Sequence, residues 1–142
     1  MLNFFKKKLD NKNENNNLML KTASLLIHAA KIDENYTDIE KKIIKETILN
    51  LNPKINNVDK LIIDAEIEEK KSNQILDFTK EIKNANESFK VKVVEILWTI
   101  IYSNKEVDMY ESNLMTRLSG LLYIDSKTNG EIKNKIREKY LK

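Results

Sequence analysis

A chain of 142 residues with two glycines, Gly120 and Gly130, and one proline, Pro53, has almost nothing with which to turn β-hairpins. Tight hairpin turns need backbone at positive φ and draw heavily on glycine, while β-rich chains use proline and glycine at their many corners. Helices need neither. The scarcity predicts an all-α protein, and the length suits one domain that buries about two thirds of its unfolded surface.

Apolar periodicity agrees from residue 18 onward. Leu18, Thr22, Leu25, Leu26 and Ala29 recur at three- and four-residue steps and predict a first helix over 18–31. Ile39, Ile43, Thr47, Ile48 and Leu51 form a second stripe, stopped by "NPK" at Pro53. Val58, Leu61, Ile62 and Ala65 form a third, with "EIEEKK" expected on its exposed side, and Ile75, Phe78 and Ile82 mark a fourth. The fifth, over 88–102, is apolar on most faces, which suits the centre of a bundle. Leu114, Leu118, Leu121 and Leu122 give a sixth, and Ile132, Ile136 and Tyr140 the last. The connections are short enough for neighbouring helices to pack antiparallel, so the expectation is a compact bundle of six to seven helices.

Residues 1–17 read as a flexible N-terminal segment ahead of a helical domain over 18–142. "DNKNENNN" is too polar to bury anything. "MLNFFKKK" sets Leu2, Phe4 and Phe5 beside Lys6, Lys7 and Lys8, the makings of a short amphipathic turn. A frayed terminus is the plain reading. Weak membrane-surface contact through residues 1–8 is the other, since each lysine near anionic lipid is worth roughly 1 kcal/mol.

Composition removes several function classes. With no cysteine, disulfides, thiolate metal sites and a cysteine nucleophile are excluded, and one histidine, His28, cannot build a His-rich metal site. The net charge of +3 is small, and lysine and glutamate are interspersed, so no nucleic-acid partner is expected. The most apolar run, "VKVVEILWTII" over 91–101, is about half the length that spans a bilayer and holds Lys92 and Glu95. No secretory signal is visible, so the expected location is cytoplasmic, peripheral to the inner membrane if residues 1–8 touch lipid.

The chain repeats itself. "LLIHAAKIDENYTDIEKKII" over 25–44 aligns with "ILWTIIYSNKEVDMYESNLM" over 96–115, every apolar helix position in register. Both run an apolar helix, a polar break, then a second helix that opens with Glu40 or Glu111. This is one helix–loop–helix unit used twice, and it predicts approximate two-fold symmetry in the bundle.

The two polar breaks collect the acids. Thr37-Asp38-Ile39-Glu40 is a capping box, and Asp108 with Glu111 is its aspartate variant at the matching helix start. In that motif the cap side chain accepts from the third helical amide, and the glutamate reaches back to the cap's own amide. Capping does not account for Asp33, Glu34 and Glu106, which lie within the breaks. Loop carboxylates and carbonyls are what a hard divalent cation needs, so calcium, magnesium or manganese is the alternative occupant. The spacing is not an EF-hand, because the twelfth position from Asp33 is Ile44. No nucleophilic triad, Walker loop or dinucleotide fingerprint is present. A carboxylate–metal hydrolase is the remaining catalytic reading, with no assigned catalytic residue. His28 suits a partly buried, hydrogen-bonded place near the end of its stripe, and Trp98 suits the core.

The doubled pattern resembles the TerB-like family, which includes the tellurite-resistance protein TerB and the N-terminal domain of the membrane-linked DnaJ co-chaperone DjlA. The family motif, A-x-A-D-G-x-(I/V)-x-x-x-E, appears here as "AAKIDENYTDIE" and "IIYSNKEVDMYE". The first copy carries Asp33 and Glu40; the second carries Asn104, Val107 and Glu111. Glu34 and Lys105 replace the motif glycine, and Asn104 replaces the second aspartate. The resemblance implies a seven-helix all-α fold and a non-enzymatic role in a stress or tellurite-resistance-type system. It also implies a divalent metal drawing on Asp33, Glu34, Glu40, Asn104, Glu106 and Glu111. The expectation taken forward is a protein-interaction module whose unidentified partner meets the acidic rims, with a metal sensor as the alternative.

Overall fold

A computed structural model describes residues 2–32, 36–72, 74–103 and 109–141, with side chains from 17 onward except 109–111 and 141. Seven helices, and no strand, are found among these residues: α1 (Leu2–Lys31), α2 (Asp38–Leu51), α3 (Val58–Lys71), α4 (Leu76–Ile82), α5 (Glu87–Ser103), α6 (Met109–Leu121) and α7 (Ser126–Leu141).

The helix boundaries follow local chemistry. Thr37 caps α2 and Asn57 caps α3, the latter with its side-chain oxygen accepting from the Lys60 amide at 3.1 Å. Asn86 does the same for α5 through the Phe89 amide at 2.8 Å, and Asp125 for α7 through the Thr128 amide at 2.7 Å. Each satisfies one of the amides that a helix start leaves without an intrahelical partner. At the other end of α2, Asn52 is the C-cap, and Pro53 follows as the residue that cannot continue the helix.

One of the sequence expectations is corrected and another is extended. The first helix begins at Leu2, not near residue 18. Residues 10–17 show no apolar stripe because they are polar on every face, yet residues 2–17 contain no glycine or proline to interrupt a helix. The centre of the bundle is also shared. α5 packs against α1, α2, α6 and α7, as its apolar faces suggest, but α1 packs against α2, α3, α4 and α5. Leu25, Leu26, Ile27, Ala29 and Ala30 of α1 are as deeply buried as Val93, Val94, Leu97, Trp98 and Ile101 of α5. Thr22 and Ser24 make α1 look less apolar than it behaves. Their hydroxyls donate to the Leu18 and Leu20 carbonyls at 2.7 and 2.9 Å, which removes the penalty of burying them.

The two central helices are the first helices of the two repeats, and the duplication extends further than the aligned segments. α3 packs against α1 and α2, and α7 packs against α5 and α6. The shift that carries Leu25 onto Ile96 also carries Leu61 and Ala65 of α3 onto Ile132 and Ile136 of α7. The unit is therefore three helices used twice, with α4 between the copies.

Candidate functional site

The last turn of α1, the first turn of α2 and the second half of α3 meet around the first acidic break. Thr37 holds an extended backbone, φ −84° and ψ 166°, and its hydroxyl oxygen accepts from the Glu40 amide at 3.2 Å. The same hydroxyl donates to Glu40 Oε1 at 3.2 Å, and Glu40 is buried, with 2% of its surface exposed. Thr37 thus caps α2 as the sequence implies, and the Glu40 side chain is held by the cap hydroxyl.

On either side of the break, α3 supplies a carboxylate. Tyr36 donates its hydroxyl to Glu66 Oε1 at 3.1 Å, and the Lys41 ammonium stands 3.0 Å from that oxygen. Lys31, at the end of α1, donates to Glu69 Oε2 at 2.7 Å, while His28 Nδ1 lies 3.3 Å from the other Glu69 oxygen. Further along, Lys21 pairs with Glu68 at 3.2 Å. The Lys31 ammonium also stands 5.9 Å from the centre of the Tyr36 ring, a cation–π distance. Burial pushes the Tyr36 hydroxyl well above the usual tyrosine range, helped by the Glu66 charge and hydrogen bond and by the Glu40 and Glu69 charges. Tyr36 therefore works as a donor and not as a base.

Of the residues singled out from sequence, Thr37 and Glu40 fall in this arrangement. Asp33, Glu34, Asn104, Glu106 and Asp108 lie outside the described residues, and so does the side chain of Glu111, whose backbone is in α6. Among the described residues, no group of three or more His, Asp or Glu side chains converges as a metal site would require. His28 takes the partly exposed, hydrogen-bonded place expected of it, and its ring lies 6.0 Å from that of Phe78.

Glu66 and Glu69 are the residues that sequence reasoning missed. The apolar spacing puts "EIEEKK" on the exposed side of α3, but Glu66, Glu68 and Glu69 all turn toward α1 and α2. The signal was available in the spacing. Glu66 and Glu69 follow Ile62 and Ala65, both buried, at the three- and four-residue steps that share one helix face. The position of the polar pair beside a core stripe, with lysines at matching places on α1 and α2, marks a lateral seam.

A cleft of about 650 Å³ lies past the opposite end of α2, lined by Met19, Asn52, Ile55, Asn57, Lys60 and Asp64. It holds a single carboxylate beside amides and lysines. No described helix is long and apolar enough to cross a membrane.

A family model described as tellurite resistance protein TerB matches residues 19–134. Neither a curated protein nor a solved structure matches the chain.

Proposed function

Because the chain belongs to the tellurite resistance protein TerB family, we propose that it is a non-enzymatic cytoplasmic module that binds a protein partner in a stress or tellurite-resistance-type system. Its contact face is the acidic rim of the first break, with Asp33 and Glu34 at its centre, together with the matching rim of Glu106 and Glu111. Residues 1–8 add weak membrane-surface contact to this role.

One observation carries the reading. The stretch that bears Asp33 and Glu34 is anchored to α3 at both of its ends, by Lys31 on Glu69 and by Tyr36 on Glu66. Flanking residues already held in place need not be ordered when a partner binds, which lowers the entropic cost of binding. The described carboxylates beside it already face a lysine, a histidine or a hydroxyl. Asp33 and Glu34 add two further acids to this stretch of sequence, and acids gathered in one place favour charge-complementary contact with a basic partner surface.

The test is affinity capture with the full chain and with an Asp33→Lys/Glu106→Lys variant whose helicity and melting temperature match the wild type. Loss of a captured protein by the variant, and its recovery when the partner's basic surface is reversed in turn, is the expected result. Identical captured sets from both proteins would remove the rims from the function.

A further inference from the structure

Tyr123, just past the end of α6, has a backbone φ of 60°, the one non-glycine residue with positive φ among those described. The turn is a helix-ending motif in which the Tyr123 amide donates to the Gly120 carbonyl at 3.2 Å and the Ile124 amide to the Ser119 carbonyl at 2.8 Å. Its left-handed position is the one glycine ordinarily fills, because a Cβ there crowds the following carbonyl. Tyr123 recovers nothing by burial, being 67% exposed.

What the ring does touch is cationic. The Lys83 ammonium lies 6.0 Å from the ring centre and the Lys90 ammonium 5.8 Å. Lys90 is an inward-lying lysine, its side chain only 8% exposed, with its ammonium 3.5 Å from the Lys83 carbonyl. Its carboxylate partner, Glu87, is distant at 3.6 Å and is itself 67% exposed. Lys83 has no ion pair among the described residues. Two ammonium groups thus lie within about 6 Å of the centre of one solvent-facing ring, and the one carboxylate paired with either among the described residues is the loosely held Glu87. Two positive charges beside one ring with a single distant carboxylate leave a local excess of positive charge, which an incoming anion offsets.

We propose that Lys83, Lys90 and Tyr123 form a binding site for a phosphate group. Ammonium groups serve phosphate as point charges with several donors, and two of them match a group that carries more than one anionic oxygen. The phenol adds a neutral donor at the site's outer edge, and Glu87 swings aside into solvent when the phosphate enters. The site is separate from the acidic rims and does not depend on the role proposed for them. A free phosphate and a lipid headgroup share the required chemistry.

The test uses the full chain, Tyr123→Gly and Lys83→Gln. Inorganic phosphate is followed by calorimetric titration. Vesicles of phosphatidylcholine, with and without phosphatidylglycerol, are followed by co-sedimentation, all below the melting transition of each protein. Glycine suits φ 60°, so Tyr123→Gly is expected to melt at or above the wild-type temperature while binding more weakly. A residue serving only to end the helix would not separate those two readouts. Lys83→Gln is expected to weaken binding about fivefold, the effect of removing one lysine from an anionic surface. Binding of inorganic phosphate identifies a solute ligand, and binding confined to phosphatidylglycerol vesicles identifies a headgroup. The proposal is overturned if the wild type binds neither probe, or if either variant binds as well as the wild type.

Discussion

The Tyr36 hydroxyl and the Lys41 ammonium share one oxygen of Glu66, at 3.1 and 3.0 Å. This single carboxylate joins the residue before the α2 cap, the first turn of α2 and the flank of α3. Removing the hydroxyl leaves the lysine in place and breaks one bond to a charged acceptor. We expect Tyr36→Phe to cost about 1 kcal/mol, the low end for such bonds because the site is partly exposed. The melting temperature should fall by roughly 2–4 °C in a chain of this size, as read by circular dichroism.

The same residue gives the alkaline limb. Burial and the neighbouring acids hold the folded-state pKa of Tyr36 above the ordinary value of 10.0. Its contribution is therefore complete below that value and is lost as pH rises, first because the unfolded chain releases its proton more readily. We expect stability above pH 10 to fall more steeply for the wild type than for Tyr36→Phe. Parallel slopes in a denaturant series against pH would show that the hydroxyl is not held by Glu66 in solution.

At the acid end, the Thr128 backbone amide, then its hydroxyl, hold the exposed Asp125 carboxyl below the ordinary aspartate value of 3.8. Its contribution is complete above that value and disappears as pH falls through the lower folded-state value. We expect Asp125→Asn to keep most of the cap geometry and to flatten the pH dependence of melting in that acid window. A carboxyl resonance that titrates at the free-aspartate value would contradict the cap.

Trp98 is 1% exposed, and its indole N–H donates to Asn129 Oδ1 at 2.9 Å. A buried donor without a partner costs about 1–3 kcal/mol, partly offset here by the better helix propensity of alanine. Asn129→Ala should therefore lose about 1–2 kcal/mol in urea unfolding, with tryptophan emission as the probe. A loss within a few tenths of a kcal/mol would mean that water replaces the amide.

Six of the seven helices were legible in the sequence because each carries an apolar stripe: Ile44 and Ile48, Ile62 and Ala65, and Phe78 and Ile82 are buried as their spacing implies. The first half of α1 was not legible. Its polar residues encode no buried face, and intrinsic helix preference leaves a weaker mark than periodicity. That the repeat extends to α3 and α7 was missed for a related reason. Ile132 and Ile136 align with Leu61 and Ala65, but Lys133 falls opposite the buried Ile62, so the matching stripe is broken. At the candidate site, Thr37 and Glu40 were readable because a cap is local in sequence. Glu66 and Glu69 were not, since their partners lie between 25 and 41 residues away and only the folded chain brings them together.

The central claim is that the acidic rims meet a partner by charge and do not hold a cation. The most direct measurement is the melting temperature of the full chain with and without millimolar calcium, magnesium or manganese, alongside Asp33→Asn/Glu106→Gln. A bound cation stabilises by RT ln(1 + [L]/Kd), about 2.7 kcal/mol at a hundred times Kd, which is a shift of several degrees. We expect both proteins to melt within about a degree of their cation-free values. A gain of several degrees in the wild type that the variant lacks would contradict the claim and make the repeated loops a metal site.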